Sequence, residues 1–116
     1  MKTLRSTLIG IDQGSALLFS DFEDGGKMWT GTGPREVRKQ VRFSQTFRAP
    51  PVVQVHISMW DMDQATNLRA ELGAEEITVE GFVLVFSTWG DTRVARIRAN
   101  WTATGELIDP DNWQVD

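Results

Sequence analysis

Apolar and polar residues alternate along much of this chain with a period of two, the signature of half-buried strands rather than helices. Val37, Val41 and Phe43 stand against Arg38, Gln40 and Arg42, which predicts a strand beginning near Arg35. Pro50-Pro51 forces an extended entry into Val52–Trp60, with Val53, Val55, Ile57 and Met59 on one face and His56 on the other. Leu68, Ala70, Leu72 and Ala74 alternate with Arg69, Glu71 and Gly73. Helix propensity competes over Ala65–Glu76, but the apolar spacing of two favours a strand. Ile77–Val79 is a short β-rich piece, and Glu80-Gly81 reads as a turn. Phe82–Trp89 is apolar on both faces apart from Ser87 and Thr88. Such a strand is covered on both sides, here by a second sheet and by another protomer. After a Gly90-Asp91 turn, Arg93–Thr104 is the last strong strand, with Ala95, Ile97, Ala99 and Trp101 on one face and Arg96, Arg98 and Asn100 on the other.

The two ends read differently. Residues 12–34 hold Gly14, Gly25, Gly26, Gly31, Gly33 and Pro34 beside Asp21, Glu23 and Asp24, which predicts loops with one short strand around Ala16–Ser20. Residues 105–116, with Pro110, predict a loop or frayed tail. Strands at about ten-residue spacing with turns between them predict an all-β fold, an antiparallel β-sandwich. The organisation expected is one domain: residues 1–34 supply a loop-rich segment and the first strand, 35–104 the body of the sandwich, and 105–116 the tail.

Length and charge then narrow the functions. At 116 residues the chain suits a single core. Its 12 Lys+Arg against 16 Asp+Glu leave a net charge of −4, which argues against nucleic acid as a partner, because phosphate binding is driven by excess positive charge. Cysteine is absent, removing disulfides, thiolate nucleophiles and Cys-ligated zinc. His56 is the sole histidine, so it is the one base a Ser-His dyad could use. No run approaches the ~20 apolar residues that span a bilayer. The start is a poor signal peptide, because Asp12 interrupts its apolar stretch. No membrane insertion is expected, and the protein is expected in the cytoplasm or exported by a non-Sec route.

Most chemical motifs reduce to ordinary surface features. Gly25-Gly26-Lys27 and Gly31-Thr32-Gly33 lack the Lys-Ser/Thr ending of a phosphate loop, since Met28 follows Lys27. Asp61 and Asp63 lack the downstream glycine and glutamate of a calcium loop. His56 has no second histidine with which to hold zinc. Glu75-Glu76 and the pair Asp109 and Asp111 are sequence neighbours, unlike carboxylates that face each other across a glycosidase cleft. No cofactor or metal is expected. Arg38, Arg42, Arg96 and Arg98 lie on the polar faces of strands, as a charged surface or a protomer contact. Trp89 is different: at a strand end beside a turn, its ring can cover a sugar's C–H face while Arg or Asp bonds the hydroxyls.

A more specific signal runs through Phe43 and Phe47, Ala49-Pro50-Pro51-Val52-Val53, Asp61, Ala65-Thr66-Asn67-Leu68-Arg69, Gly81-Phe82, Ser87-Thr88-Trp89-Gly90-Asp91-Thr92 and Asn100-Trp101. In order and spacing this half of the chain resembles the H-type lectin family. The resemblance implies a six-stranded antiparallel β-sandwich assembling as a homotrimer, with pairing of trimers into hexamers left open. It implies binding of galactose-type glycans, commonly N-acetylgalactosamine, without a metal and near the boundary between protomers. Arg69 matches the family's sugar-binding arginine and Trp89 its site tryptophan. Gly90 stands where the animal lectins carry a histidine. Thr32 lies nearest the position of a loop acid that contacts sugar in those lectins, leaving Asp91 or Asp24 to supply an acceptor. The implied function is a multivalent lectin built on Arg69, Trp89, Asp91, Gly90 and the Thr32 loop. The alternative is a structural or assembly module of a trimeric appendage or particle that kept the fold without sugar binding.

Overall fold

The computed structural model describes residues 1–5 and 8–110. Within them the chain forms strands β1 (Ile9–Ser20), β2 (Arg35–Arg42), β3 (Val52–Met62), β4 (Glu71–Glu75), β5 (Gly81–Thr88) and β6 (Val94–Glu106). Two one-turn helices, α1 (Asp21–Asp24) and α2 (Lys27–Thr30), separate β1 from β2. The strands make two three-stranded antiparallel sheets, ordered β1-β6-β3 and β2-β5-β4. This is the all-β sandwich that the alternating pattern predicts.

Side chains of both sheets meet in one core. Phe82, Leu84 and Phe86 of β5 enter it from one side, and Ile97, Ala99, Trp101 and Ala103 of β6 from the other. The Phe82 and Trp101 rings meet edge to face at 5.5 Å, and Phe43 packs on both Phe47 and Phe82 at 5.0 and 5.8 Å. Such ring pairs add about 0.5–1.5 kcal/mol beyond the apolar area they bury.

Strand β5 is buried on both faces, as expected, but its outer cover comes from within the chain. Val83 and Val85 point away from the core, and Arg38 of β2 lies opposite Val85. From there its guanidinium crosses β5 to reach Glu75 (3.3 Å) at the end of β4 and Glu76 (3.1 Å) just after it, and it also bonds Glu36 at 2.8 Å. The hydrogen bond it donates to Glu36, opposed by desolvation and joined by those to Glu76 and Glu75, holds this guanidinium more firmly protonated than usual. The aliphatic stem thus shields the valines while the charged head stays in water. No second protomer is needed to cover β5.

Several expected boundaries shift for local reasons. The first strand is not a short piece at Ala16–Ser20. It runs from Ile9 through Gly10 and Gly14, residues that otherwise read as loop formers. Segment 21–30 is helical rather than loop, although each helix lasts one turn. Gly25 ends α1 at φ +65, and Asp21 Oδ2 accepts from the Met28 N–H at 3.0 Å. Strand β4 starts at Glu71 instead of Leu68, because the Arg69 backbone is occupied elsewhere. Its N–H donates to Thr92 Oγ1, and its carbonyl accepts from Thr88 Oγ1. Ile77–Val79 is a loop, held by Thr78 Oγ1, which accepts from the N–H groups of Glu80 and Gly81. The predicted tail continues β6 to Glu106, and Leu107 bridges to Phe47. Asp111 and the remainder of that tail lie outside the described residues.

Candidate functional site

The turn between β5 and β6 gathers the sequence-predicted residues at one end of the sandwich. Asp91 sits at its tip and draws in the segment before β4. Arg69 Nη1 donates to Asp91 Oδ1 at 3.0 Å, and Asn67 Nδ2 donates to both carboxylate oxygens at 3.2 and 3.4 Å. The Asn67 N–H also points at Oδ2. These bonds hold the Asp91 carboxyl below its ordinary value of 3.8, the Asn67 side chain contributing most and the Arg69 charge least. Beneath them the buried Thr92 takes the Arg69 N–H and gives its hydroxyl to the Asn67 carbonyl. The loop at 67–69 is therefore pinned from both backbone and side chain.

Gly90 forms the other wall. It adopts φ +70, and its carbonyl accepts the Gly33 N–H at 2.9 Å. That bond brings the Thr32 loop against the turn, with Thr32 itself exposed to solvent. Trp89 lies next to this junction and is 40% exposed, a large ring left partly in water. The structure thus assembles Arg69, Asp91, Gly90, Trp89 and the loop carrying Thr32 from three separate stretches of sequence. Asp91 is the carboxylate that pairs with Arg69; among the described residues no ion pair links Asp24 to the cluster. Arg69 keeps Nε and Nη2 free of protein partners among the described residues. A carboxylate offers about four lone-pair sites and Asp91 already accepts four contacts, so a ligand hydroxyl would take the place of one of the long 3.4 Å contacts from Asn67. One donor group and one acceptor group, side by side near an exposed ring, suit neighbouring hydroxyls on a small polyol.

Two residues of this region were given no role by the sequence. Asn67 makes three of the contacts to Asp91, and its place in the run Ala65–Arg69 that carries the family resemblance was the available signal. Arg35 is buried and reaches the Gly33 and Gly90 carbonyls; as the first residue of a strand it has no pattern that distinguishes it.

The other chemical candidates are absorbed locally. Asp61 pairs with Arg96 at 3.0 Å and Asp63 with Arg93 at 3.5 Å. Among the described residues no cluster of three or more His, Asp or Glu side chains could hold a metal ion. Glu75 and Glu76 both turn to Arg38. Arg42 pairs with Glu80, while Arg98 makes no ion pair among the described residues. His56 is exposed on the outer face of β3, opposite Asn100. Among the described residues no helix is long and apolar enough to cross a membrane.

Comparison with known proteins places these features. A family model described as the H-type lectin domain matches residues 38–104. "ATP synthase subunits region ORF 7" of Fuscovulum blasticum is 56% identical over 108 residues, covering 93% of this chain and 94% of the relative. Its name states a location rather than an activity. A discoidin-1 polypeptide of Dictyostelium discoideum is 38% identical over 76 residues, which is 65% of this chain. The chain spans only 30% of that relative's length. Recombinant discoidin II of the same organism superposes with a TM-score of 0.74 at 24% identity, over 94% of this chain and 40% of that one. The two-sheet architecture is therefore shared with a solved structure.

Proposed function

The chain belongs to the H-type lectin domain family, and on that premise we propose that it is a non-enzymatic carbohydrate-binding module. Its ligands are galactose- or N-acetylgalactosamine-type glycans, held by Arg69, Trp89, Asp91 and the Thr32 loop beside Gly90. The observation that carries this reading is the Arg69–Asp91 pair at 3.0 Å beside the half-exposed Trp89. The free guanidinium N–H groups donate to one sugar oxygen, while Asp91 accepts from a neighbouring hydroxyl. The indole packs on the C–H face of the ring. Each such site is small and open, so a single monosaccharide binds weakly, and several sites on one assembly raise apparent affinity by effective concentration.

Assembly as a homotrimer belongs to the same proposal, and an apolar surface supports it. On β1 the outward positions Ile9, Ile11 and Leu17 are exposed, with Ile11 at 70%, and Val52 of β3 joins them across β6. Between them lie the uncharged Gln13, Ser15, Thr102 and Thr104. Glu106 stands opposite Ile9 and Arg98 opposite Leu17, at the margins of this patch, and its uncharged centre fits a second copy of the chain better than water.

A glycan-array screen of the purified protein, with its solution mass measured on the same sample, tests both parts. Arg69→Ala is expected to abolish glycan binding while leaving fold and assembly unchanged, because the Arg69 backbone bonds to Thr88 and Thr92 do not use the side chain. Retained binding in that variant moves the site elsewhere. A wild-type trimer silent across the array favours the assembly-module alternative.

A further inference from the structure

We propose that Arg35 is a positioning residue for the Arg69–Asp91 pair, acting through the Gly90 turn. Its guanidinium belongs to a residue only 7% exposed and binds main-chain carbonyls from three segments. Nε donates to Gly33 O at 2.9 Å, Nη1 to Met28 O at 3.2 Å and Lys27 O at 3.4 Å, and Nη2 to Gly90 O at 3.2 Å. None of the ion pairs among the described residues includes it. A buried cation compensated only by carbonyl dipoles is a costly way to fill space, and an apolar side chain of similar volume would stabilise at least as well. What the guanidinium alone supplies is a rigid fork whose donors diverge in one plane. That fork fixes the distance from α2 to the Gly33 loop and from both to Gly90.

The link to the site is direct. Gly90 O accepts from both Arg35 Nη2 and the Gly33 N–H, while a Cβ built on Gly90 would lie 3.2 Å from Arg69 Nη1. The turn is therefore clamped at its carbonyl and pressed against the Arg69 guanidinium at its Cα. Gly31 is shaped to the same clamp, since a Cβ there would stand 2.5 Å from Lys27 O and 3.0 Å from Arg35 Cδ. Arg35 and the whole of segment 21–34 precede the residues matched by the family model, 38–104. The clamp thus ties a segment outside the matched region to the pair inside it. The consequence for sugar affinity rests on the lectin reading above; the consequence for the pair does not.

The test compares wild type with Arg35→Met and Arg35→Lys. Asp91 titration and hydrogen exchange at the Gly33 amide are followed by NMR. Glycan affinity is measured with the best array ligand at a temperature where all three proteins are folded. In both variants the Gly33 amide is expected to lose protection and the Asp91 midpoint to rise toward the ordinary carboxylate value. Affinity should fall about tenfold, the equivalent of one charged hydrogen bond. Lysine keeps the charge but cannot reach three segments at once, so it should fall with methionine rather than stay with wild type. A folded Arg35→Met protein with unchanged Gly33 protection and unchanged Asp91 titration overturns the proposal, whatever its affinity. If the methionine variant does not fold, the same two readouts in Arg35→Lys decide. A wild-type protein that binds no glycan, with both readouts moved in the variants, leaves the clamp standing and removes the lectin reading.

Discussion

Gly90 occupies the left-handed region at φ +70, with the Arg69 guanidinium lying where its side chain would begin. A β-carbon in that conformation costs roughly 1–2 kcal/mol, and here it would also crowd Arg69 Nη1 at 3.2 Å. The departure from the animal lectins, which carry a histidine after the site tryptophan, is thus coupled to the way this chain packs Arg69 over the turn. In the proposed site Asp91 is the acceptor, and its electrostatics make a prediction. Because the folded state lowers the Asp91 pKa, the bonds from Asn67 and Arg69 contribute fully above the unfolded value. That contribution is lost as pH falls through the lowered folded value. Glycan binding should therefore be insensitive to Asp91 ionisation from neutral pH down to the ordinary carboxylate range, and weaken only below it. The Asp91 carboxyl carbon, followed by NMR, should titrate with a midpoint under 3.8. A midpoint above that value would mean the pair is not formed in solution.

At the scale of elements, β1 explains both what the chain pattern reveals and what it hides. Its inward positions are Gly10, Asp12, Gly14 and Ala16, set against Gly105, Ala103, Trp101 and Ala99 of β6. Small residues are required because the core side chains already fill that space. A Cβ on Gly14 would lie 2.7 Å from Trp101 Nε1, and the indole is wedged against Phe43 and Phe82. Gly14→Ala trades a gain of about 0.4–1 kcal/mol from a stiffer unfolded chain against an overpacking cost of about 1–3 kcal/mol. The clash should win because Trp101 has nowhere to move, so chemical denaturation should show net destabilisation. An unchanged or higher midpoint would mean the indole can shift. The same geometry is why only the end of this strand, Ala16–Ser20, is legible: its glycines read as turns, and Ile9, Ile11 and Leu17 point outward. Strands β2, β3, β5 and β6 were legible because their inward faces are apolar, as a strand in isolation predicts. Arg69 and Trp89 were singled out through family resemblance, and Asp91 as one of two carboxylates, with Asp24, that could stand in for the missing loop acid. Asn67 and Arg35 were not, because their roles arise from hydrogen bonds between segments distant in sequence.

At the scale of the whole molecule, the two sheet faces solve the same problem in opposite ways. On the β2-β5-β4 face, Arg38 and its glutamates cover Val83 and Val85 from within the chain. These ion pairs are exposed and individually worth little, yet they leave no apolar strand in water. On the β1-β6-β3 face the Arg96–Asp61 pair lies at the end of the sheet away from Ile9, Ile11 and Val52, and these residues and Leu17 stay exposed. The first face is finished as a monomer and the second is not, so self-association should run through the second. Ile11 is the residue to alter, because it is the most exposed of the four and contributes nothing to the core. Ile11→Arg should leave the thermal unfolding of the isolated protomer unchanged within about 0.5 kcal/mol, as surface substitutions usually do. In the assembly it would bury an unpaired charge, which costs several kcal/mol. Sedimentation equilibrium should then report a protomer where wild type gives a trimer, and weak monovalent glycan affinity in place of avidity. A variant that remains trimeric would assign the contact to another surface, and a monomeric wild type would remove the multivalent part of the proposal while leaving the Arg69 site intact.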